Sequence, residues 1–238
     1  MRADITAVAV KQSSAYLGRA QLPGVPWLQA CDNTPPSPNA AIALIPTGAK
    51  VPAKAFAEQQ LGVVATTGEV KTAIRFALEN KLDVVLLDAT GDCSIGGELA
   101  GAPDLTLIRD AIAELRKLDR EESVDLVFFG GIRTGTDLAK LIAFGAKAVV
   151  ASANLAFAAG GRIGANGEMV FGNEMDSAAR QKAASMFLTS MVSEGSMMAR
   201  CTGKTNIVNL EPEDLRAYTV ATSRATGISL PGRNAVAA

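Results

Sequence analysis

The residues whose types and spacing best suit chemistry lie between 124 and 156, in VDLVFFGGIRTGTDLAKLIAFGAKAVVASANLA. An aliphatic run ends on Gly130-Gly131, and a helical pattern opens near Thr136 or Asp137. Glycine at such a point lets the backbone adopt positive φ and approach a ligand closely. The first N–H groups of a helix have no partner inside it, and together with the helix dipole they attract an anion. Arg133 adds a guanidinium capable of charge-assisted hydrogen bonds. One strand later, Ser152 and Ala153 reach the equivalent height. In βα barrels, phosphate is held by the loops after the last two strands. This pattern predicts a phosphate site, the alternative being a tight βα turn that needs glycine only for its shape.

Other candidates are weaker. Asp88 ends an aliphatic strand where catalytic residues of parallel α/β folds sit, although a loop-capping acid fits equally simply. Asp92, Glu98 and Asp104 are acids near one another in sequence, but their spacing matches no EF-hand and no metal site is expected. Cys93 lies in the glycine-rich stretch TGDCSIGGELAGAPD, with no histidine to activate it. Lys204 and Arg200 read as a solvated helix end. The chain has no histidine at all, which excludes a Ser-His-Asp triad, a His-activated cysteine and a His-containing zinc site within it.

The elements that must position these residues follow from the hydrophobic pattern. Residues 5–10, 41–45, 62–65, 84–88, 125–129 and 147–151 read as short aliphatic strands. Helical periodicity runs through 68–81, and a weaker pattern through 52–60. A stripe of Leu105, Ile108, Ile112, Leu115 and Leu118 marks a helix over 104–120. Five of the ten prolines fall in 11–40, so that stretch reads as loop. Beyond residue 160, a glycine-rich loop or small hairpin precedes a methionine-rich helix over 176–200. A further helix is predicted over 211–220, capped by Asn209 with Pro212 in its first turn.

Alternating strands and helices imply right-handed βαβ units and a parallel sheet. Composition agrees: 48% of the 238 residues are hydrophobic and only 5% aromatic, so the core is built from aliphatic side chains. A full (βα)8 barrel takes about 250 residues, yet only six strands are counted. The expected fold is α/β, a TIM-barrel-related parallel βα repeat forming an incomplete, about six-stranded barrel. Residues 1–160 form the barrel and 161–238 a mostly helical C-terminal extension. Open edges call for cover by a homo- or hetero-oligomer. Twenty-three basic against twenty-four acidic residues, a net charge of −1, give no footprint for nucleic acid. No apolar run approaches the roughly 18 residues that span a bilayer. Three cysteines at long spacing fit a reduced, cytoplasmic protein.

The 124–156 segment resembles the FMN-binding domain of glutamate synthases, particularly of the archaeal type. Gly130, Gly131, Ile132, Arg133, Thr134, Gly135, Asp137, Ala139, Lys140, Gly145 and Ala146 carry the likeness. Upstream, DVVLLDATGDCSIGGELAGAPD looks like the family's strand and glycine-rich loop, with Gly96 and Gly97 as the glycine pair. Downstream, ARCTGKTNIVNLEPEDLRAYTVATSRATGISLPG is similar to its C-terminal element. Gln12 and Leu22-Pro23-Gly24 faintly resemble an N-terminal loop, which would start this chain midway through the family's barrel.

The resemblance implies FMN as cofactor, held at Gly96, Gly97, Gly130, Gly131, Arg133, Thr134, Gly135, Ser152 and Ala153. It implies a flavin-dependent oxidoreductase subunit acting on an amino acid or amine, with an amidotransferase-like or ferredoxin-like partner. Two family features are missing. The segment AFAAGGRIGANGEMVFGN has no cysteine where the family holds an iron–sulfur cluster. The family's ring-facing lysine would fall near Val63, Val64 or Ala43. Those losses leave two other readings: a cofactor-free scaffold subunit, or a sugar-phosphate barrel enzyme without flavin.

Overall fold

In the computed structural model, residues 8–11, 27–30, 36–38, 40–91, 95–165 and 169–232 are described. Asp92, Cys93, Cys31, Gln12 and Leu22-Pro23-Gly24 lie outside them, as does the start of the predicted 5–10 strand.

Seven parallel strands form one sheet in sequential order: β1 Val8–Lys11, β2 Trp27–Ala30, β3 Ile42–Ile45, β4 Gln60–Ala65, β5 Val84–Asp88, β6 Asp125–Phe129 and β7 Ala148–Val150. Sequential parallel order is that of a (βα)8 barrel. Among the described residues β1 pairs only with β2 and β7 only with β6, and no pairing that would close the sheet is seen. The extra strand relative to the sequence reading is β2, in the stretch predicted to be loop. The prolines at 23 and 26 precede it and those at 35, 36 and 38 follow it, so all four of its residues keep their N–H donors. It pairs with both neighbours, Val8 opposite Trp27 and Leu28 opposite Ile42.

Alternation along the strands separates two cores, as a period of two requires. Ile42, Leu44, Val84, Leu86, Val127, Phe129, Ala148 and Val150 form a cluster on the sheet's inner face. Ala43, Ile45, Val63, Val85, Leu87, Phe128 and Val149 point the other way and pack beneath the helices. Each fully buried Val, Leu or Phe contributes about 1.5–3 kcal/mol. The covering helices are α1 Val70–Glu79, α3 Thr106–Lys117 and α4 Gly135–Ala143. In α3 the fully buried stripe runs through Leu107, Ile108, Ala111 and Leu115, while Leu105, Ile112 and Leu118 flank it half-buried. The helix thus sits slightly rotated from the predicted stripe.

Two short helices, α2 Ile95–Ala100 and α5 Ala153–Ala158, follow β5 and β7. An antiparallel hairpin, β8 Gly161–Ile163 with β9 Met169–Phe171, occupies the glycine-rich stretch. The long helix α6 Ser177–Cys201 then packs on α4 and α5, burying Ala184, Leu188, Met191, Gly195 and Ala199.

Two predicted helices are absent. Residues 52–59 are irregular because Gln59 serves the backbone as a strut. Its Oε1 accepts from Ala55 N at 2.7 Å, and its Nε2 donates to Ser37 O and Ala40 O at 2.9 and 2.8 Å. Residues 211–220 give only a 3-10 turn, Pro212–Asp214, with Glu211 rather than Asn209 at its cap. The chain becomes helical again in α7 Val220–Thr226, capped by Thr219 and ended by Gly227 at φ +75°.

Gly62 on β4 faces the inner core, where a Cβ would lie 2.7 Å from Val84 O and 2.9 Å from a Leu44 methyl. Because one of those neighbours is backbone, Gly62→Ala is expected to destabilise the fold by about 1–3 kcal/mol. Chemical denaturation checks this, and an unchanged midpoint would show that the inner core has room to spare.

Candidate functional site

Parallel strands bring the loops after β5, β6 and β7 to one end of the sheet. The β6 loop begins with Gly130 at φ +124° and Gly131 at φ +70°, both in the region that favours glycine. Packing requires the same residues. A Cβ on Gly131 would lie 2.8 Å from Pro103 Cγ, and one on Gly130 3.0 Å from Thr90 Cγ2. The loop therefore passes tightly between Pro103 and the β5 loop. Asn154 Nδ2 donates to Ile132 O at 3.0 Å and ties it to α5.

A carboxylate of this chain sits where the β6 and β7 loops meet. Glu98, from α2, has its Oε2 2.9 Å from Ala153 N, which donates to it. The Ser152 hydroxyl and the N–H groups of Gly131 and Ile132 face the same carboxylate. Their alignment is poorer, so Oε1 completes no hydrogen bond although it is buried. Glu98 is only 7% exposed. Burial pushes its pKa above the ordinary carboxylate value, partly offset by the hydrogen bond from Ala153 and by the nearby Ser152 hydroxyl and Gly131 and Ile132 N–H groups. Sequence reasoning treats Glu98 only as a distant candidate for a cation. The overlooked signal is an acid directly after a glycine pair, in a loop expected at the phosphate end.

Gly96 and Gly97 are the residues before that acid, inside α2. Each glycine in a helix costs about 1 kcal/mol relative to alanine, so a six-residue helix holding two has little stability of its own.

The N-terminus of α4 differs from the sequence reading. The helix opens at Gly135, and Thr134 caps it by accepting from Asp137 N at 3.3 Å. Its first N–H groups, expected to be free for an anion, are taken by Glu194 of α6. Gly135 N donates to Glu194 Oε2 at 2.9 Å, while Thr136 N and Oγ1 donate to Oε1 at 3.1 and 2.6 Å. Hydrogen bonds from the Thr136 hydroxyl and the Gly135 N–H hold the Glu194 carboxyl below its ordinary value. Gly135 allows this approach, since a Cβ there would run into the Met191 carbonyl oxygen and lie 2.6 Å from Glu194 Cβ. Arg133 is 74% exposed and sits 3.9 Å from Asp137.

The structure therefore brings Gly131, Ser152 and Ala153, together with Ile132, to the Glu98 carboxyl, while Gly130 lies against Thr90 and Ala89. Thr134 and Gly135 belong to the α4–α6 joint, and Arg133 stands at the rim. Asp88 behaves as a loop cap, accepting from Thr90 N and Oγ1 at 2.9 and 2.6 Å. Asp104 caps the start of α3 through Thr106 at 2.9 and 2.7 Å. Lys204 is paired with Glu211 and Asp214 rather than solvated. Of the three positions considered for a ring-facing lysine, Ala43 and Val63 point to the helices, and only Val64 packs against the inner cluster.

This fold and site define a TIM-barrel-related α/β protein with its polar loops at the C-terminal ends of parallel strands. Residues 48–165 match the conserved region in glutamate synthase. A glutamate synthase large subunit-like protein of Rhizobium meliloti (strain 1021) is 31% identical over 191 residues, which is 66% of this chain and 43% of that relative. The chain thus spans under half the length of the curated relative it matches. These two likenesses support a glutamate synthase-like family for the chain.

Solved structures agree on the fold. A flavocytochrome b2 variant with sulfite bound superposes with a TM-score of 0.58 at 13% identity, covering 87% of this chain and 59% of that one. The recombinant flavin-binding domain of Baker's yeast flavocytochrome b2 gives 0.55 at 12% identity, with 87% and 59% covered. A mandelate oxidase variant with 2-hydroxy-phenylacetamide gives 0.53 at 14% identity, with 85% and 75% covered. Among the described residues, no helix is long and apolar enough to cross a membrane.

The Glu194 clamp has a pH signature. Its lowered folded pKa means that the stability it contributes is complete above the ordinary value of 4.5 and is lost as pH falls through the folded value. Glu194→Gln should therefore melt below the wild type at neutral pH, with the gap narrowing as pH drops under 4.5. Paired thermal melts across that range check this, and a gap that stays constant with pH would show that the charge plays no part.

Proposed function

We propose that this chain is a flavin-binding, glutamate synthase-like subunit that holds FMN by its phosphate at the junction of the β6 and β7 loops. The single observation carrying the reading is the convergence of the Gly131, Ile132 and Ala153 N–H groups and the Ser152 hydroxyl on one anionic group. Such a cradle fits a phosphate, which offers three acceptor oxygens at a charge near −1.5 to −2. Gly130 and Gly131 shape the loop, and Arg133 would add positive charge from the rim. Thr134 and Gly135 fix the loop's far end through α4, while Gly96 and Gly97 carry the segment that faces it. Bound FMN would supply hydride and electron transfer, with the protein providing binding, orientation and electrostatics.

The inner face beneath the mouth is apolar, with Val64, Phe129 and Val150 packed there. Those side chains would exclude water under the ligand. A flavin in this chain would have no basic side chain at Val64, so charge on a reduced ring would need another partner. The family relationship supports a role as a cytoplasmic redox subunit acting on an amino acid or amine. Residues 1–160 would form the cofactor-binding unit and 161–238 its cover. The edges at β1 and β7 suit a homo- or hetero-oligomer, with an amidotransferase-like or ferredoxin-like partner.

One observation favours a second reading, a cofactor-free scaffold subunit: the cradle already holds the Glu98 carboxylate. Titration with FMN and with riboflavin, followed by flavin fluorescence, separates the two. A charge-assisted hydrogen bond is worth about 1.5–3 kcal/mol, so FMN should bind at least about tenfold more tightly. Equal affinities would contradict phosphate anchoring, and no binding of either flavin would favour the scaffold.

A further inference from the structure

Glu98 places a carboxyl group in the proposed anion site. It reaches that site from α2, while the donors come from the loops after β6 and β7. Its carboxylate makes one good hydrogen bond, to Ala153 N, and leaves Oε1 buried without a partner. A buried polar atom left unpaired is costly, and native structures rarely keep one without a reason. A cradle built only to hold a glutamate would satisfy both oxygens, as Glu194 is satisfied at α4 by three donors. The Glu98 contact is instead a poor match on both sides. The donors outnumber what the carboxylate uses, and the carboxylate has an oxygen to spare.

We propose that Glu98 is an internal, displaceable occupant of the phosphate cradle, so that α2 acts as a latch which ligand phosphate must open. The inference rests on the reading of that cradle as a phosphate site. Two negative groups cannot share one set of donors, so entry of phosphate and seating of Glu98 exclude each other. A phosphate has the advantage in the exchange, because its three oxygens can engage donors that two carboxylate oxygens reach poorly. The latch is easily lifted, because α2 is a single short helix containing Gly96 and Gly97. Glu98 thereby selects ligands: a phosphate ester can displace it, whereas a monocarboxylate has no advantage over the residue already there.

Two variants and one exchange measurement test the latch. Glu98→Ala removes the occupant, and Glu98→Gln keeps its shape while removing its charge. Calorimetric titration with inorganic phosphate and with FMN should show both variants binding at least tenfold more tightly than wild type. Hydrogen exchange of the wild-type protein should show residues 95–100 exchanging faster once ligand is bound, because α2 is released. A purely structural Glu98 would give the opposite, with weaker binding in the variants and unchanged or slower exchange in α2. FMN bound equally by wild type and variants would overturn the latch and leave the flavin reading intact. Tighter phosphate binding by the variants without any FMN binding would uphold the latch and overturn the flavin reading. Failure of phosphate and FMN to bind any of the three proteins would overturn both. If the variants do not fold, slower or unchanged exchange of 95–100 in the liganded wild type is sufficient to reject the latch.

Discussion

A buried hydrogen-bonding group must find a partner, and that constraint governs the mouth of this sheet. Where β6 and β7 end, the Gly131, Ile132 and Ala153 N–H groups and the Ser152 hydroxyl face the Glu98 carboxyl. Under the proposed reading these donors form a site for an anion. Glu98 occupies it at the expense of its own burial, with a raised pKa and one oxygen left over. The tension between a cradle that needs negative charge and a carboxylate that fits it imperfectly gives the site its expected chemistry.

The rest of the fold exists to hold those loops in place. Parallel register delivers every strand's C-terminal end to the same face. The inner and outer cores alternate along each strand and leave little freedom for the strands to slide, since a one-residue slip would exchange the two faces. The β6 loop is pinned from below by Pro103 and Thr90, and from the side by Asn154. Its far end is fastened by Glu194, which ties α4 to α6 through the glycines at 135 and 195. This clamp uses the N-terminus of α4 for architecture.

Much of this was legible in the sequence. The strands from β3 to β7, the helices α1, α3 and α6, and the glycine pair at 130–131 all follow from periodicity and turn chemistry. Three features were not legible, for different physical reasons. β2 is four residues between clusters of proline, and proline density masks the fact that none lies within it. The helix expected at 52–60 loses to long-range polar contacts, Gln59 bonding to Ser37 and Ala40, and the one expected at 211–220 stops at a locally capped turn, after which Ala217 N donates to Ser229 O. Glu98 and Glu194 lie 33 and 59 residues from the backbone they serve at Gly131 and Gly135, a pairing no local pattern announces. The glycines mark a candidate site through what they permit; the acids beside it are visible only in three dimensions.

A crystal structure of the FMN complex tests most directly whether this cradle is a phosphate site guarded by its own glutamate. The phosphate should lie within hydrogen-bonding distance of the Gly131, Ile132 and Ala153 N–H groups, with the Glu98 carboxylate withdrawn from Ala153. A complex in which the phosphate lies elsewhere and Glu98 still accepts from Ala153 would contradict it.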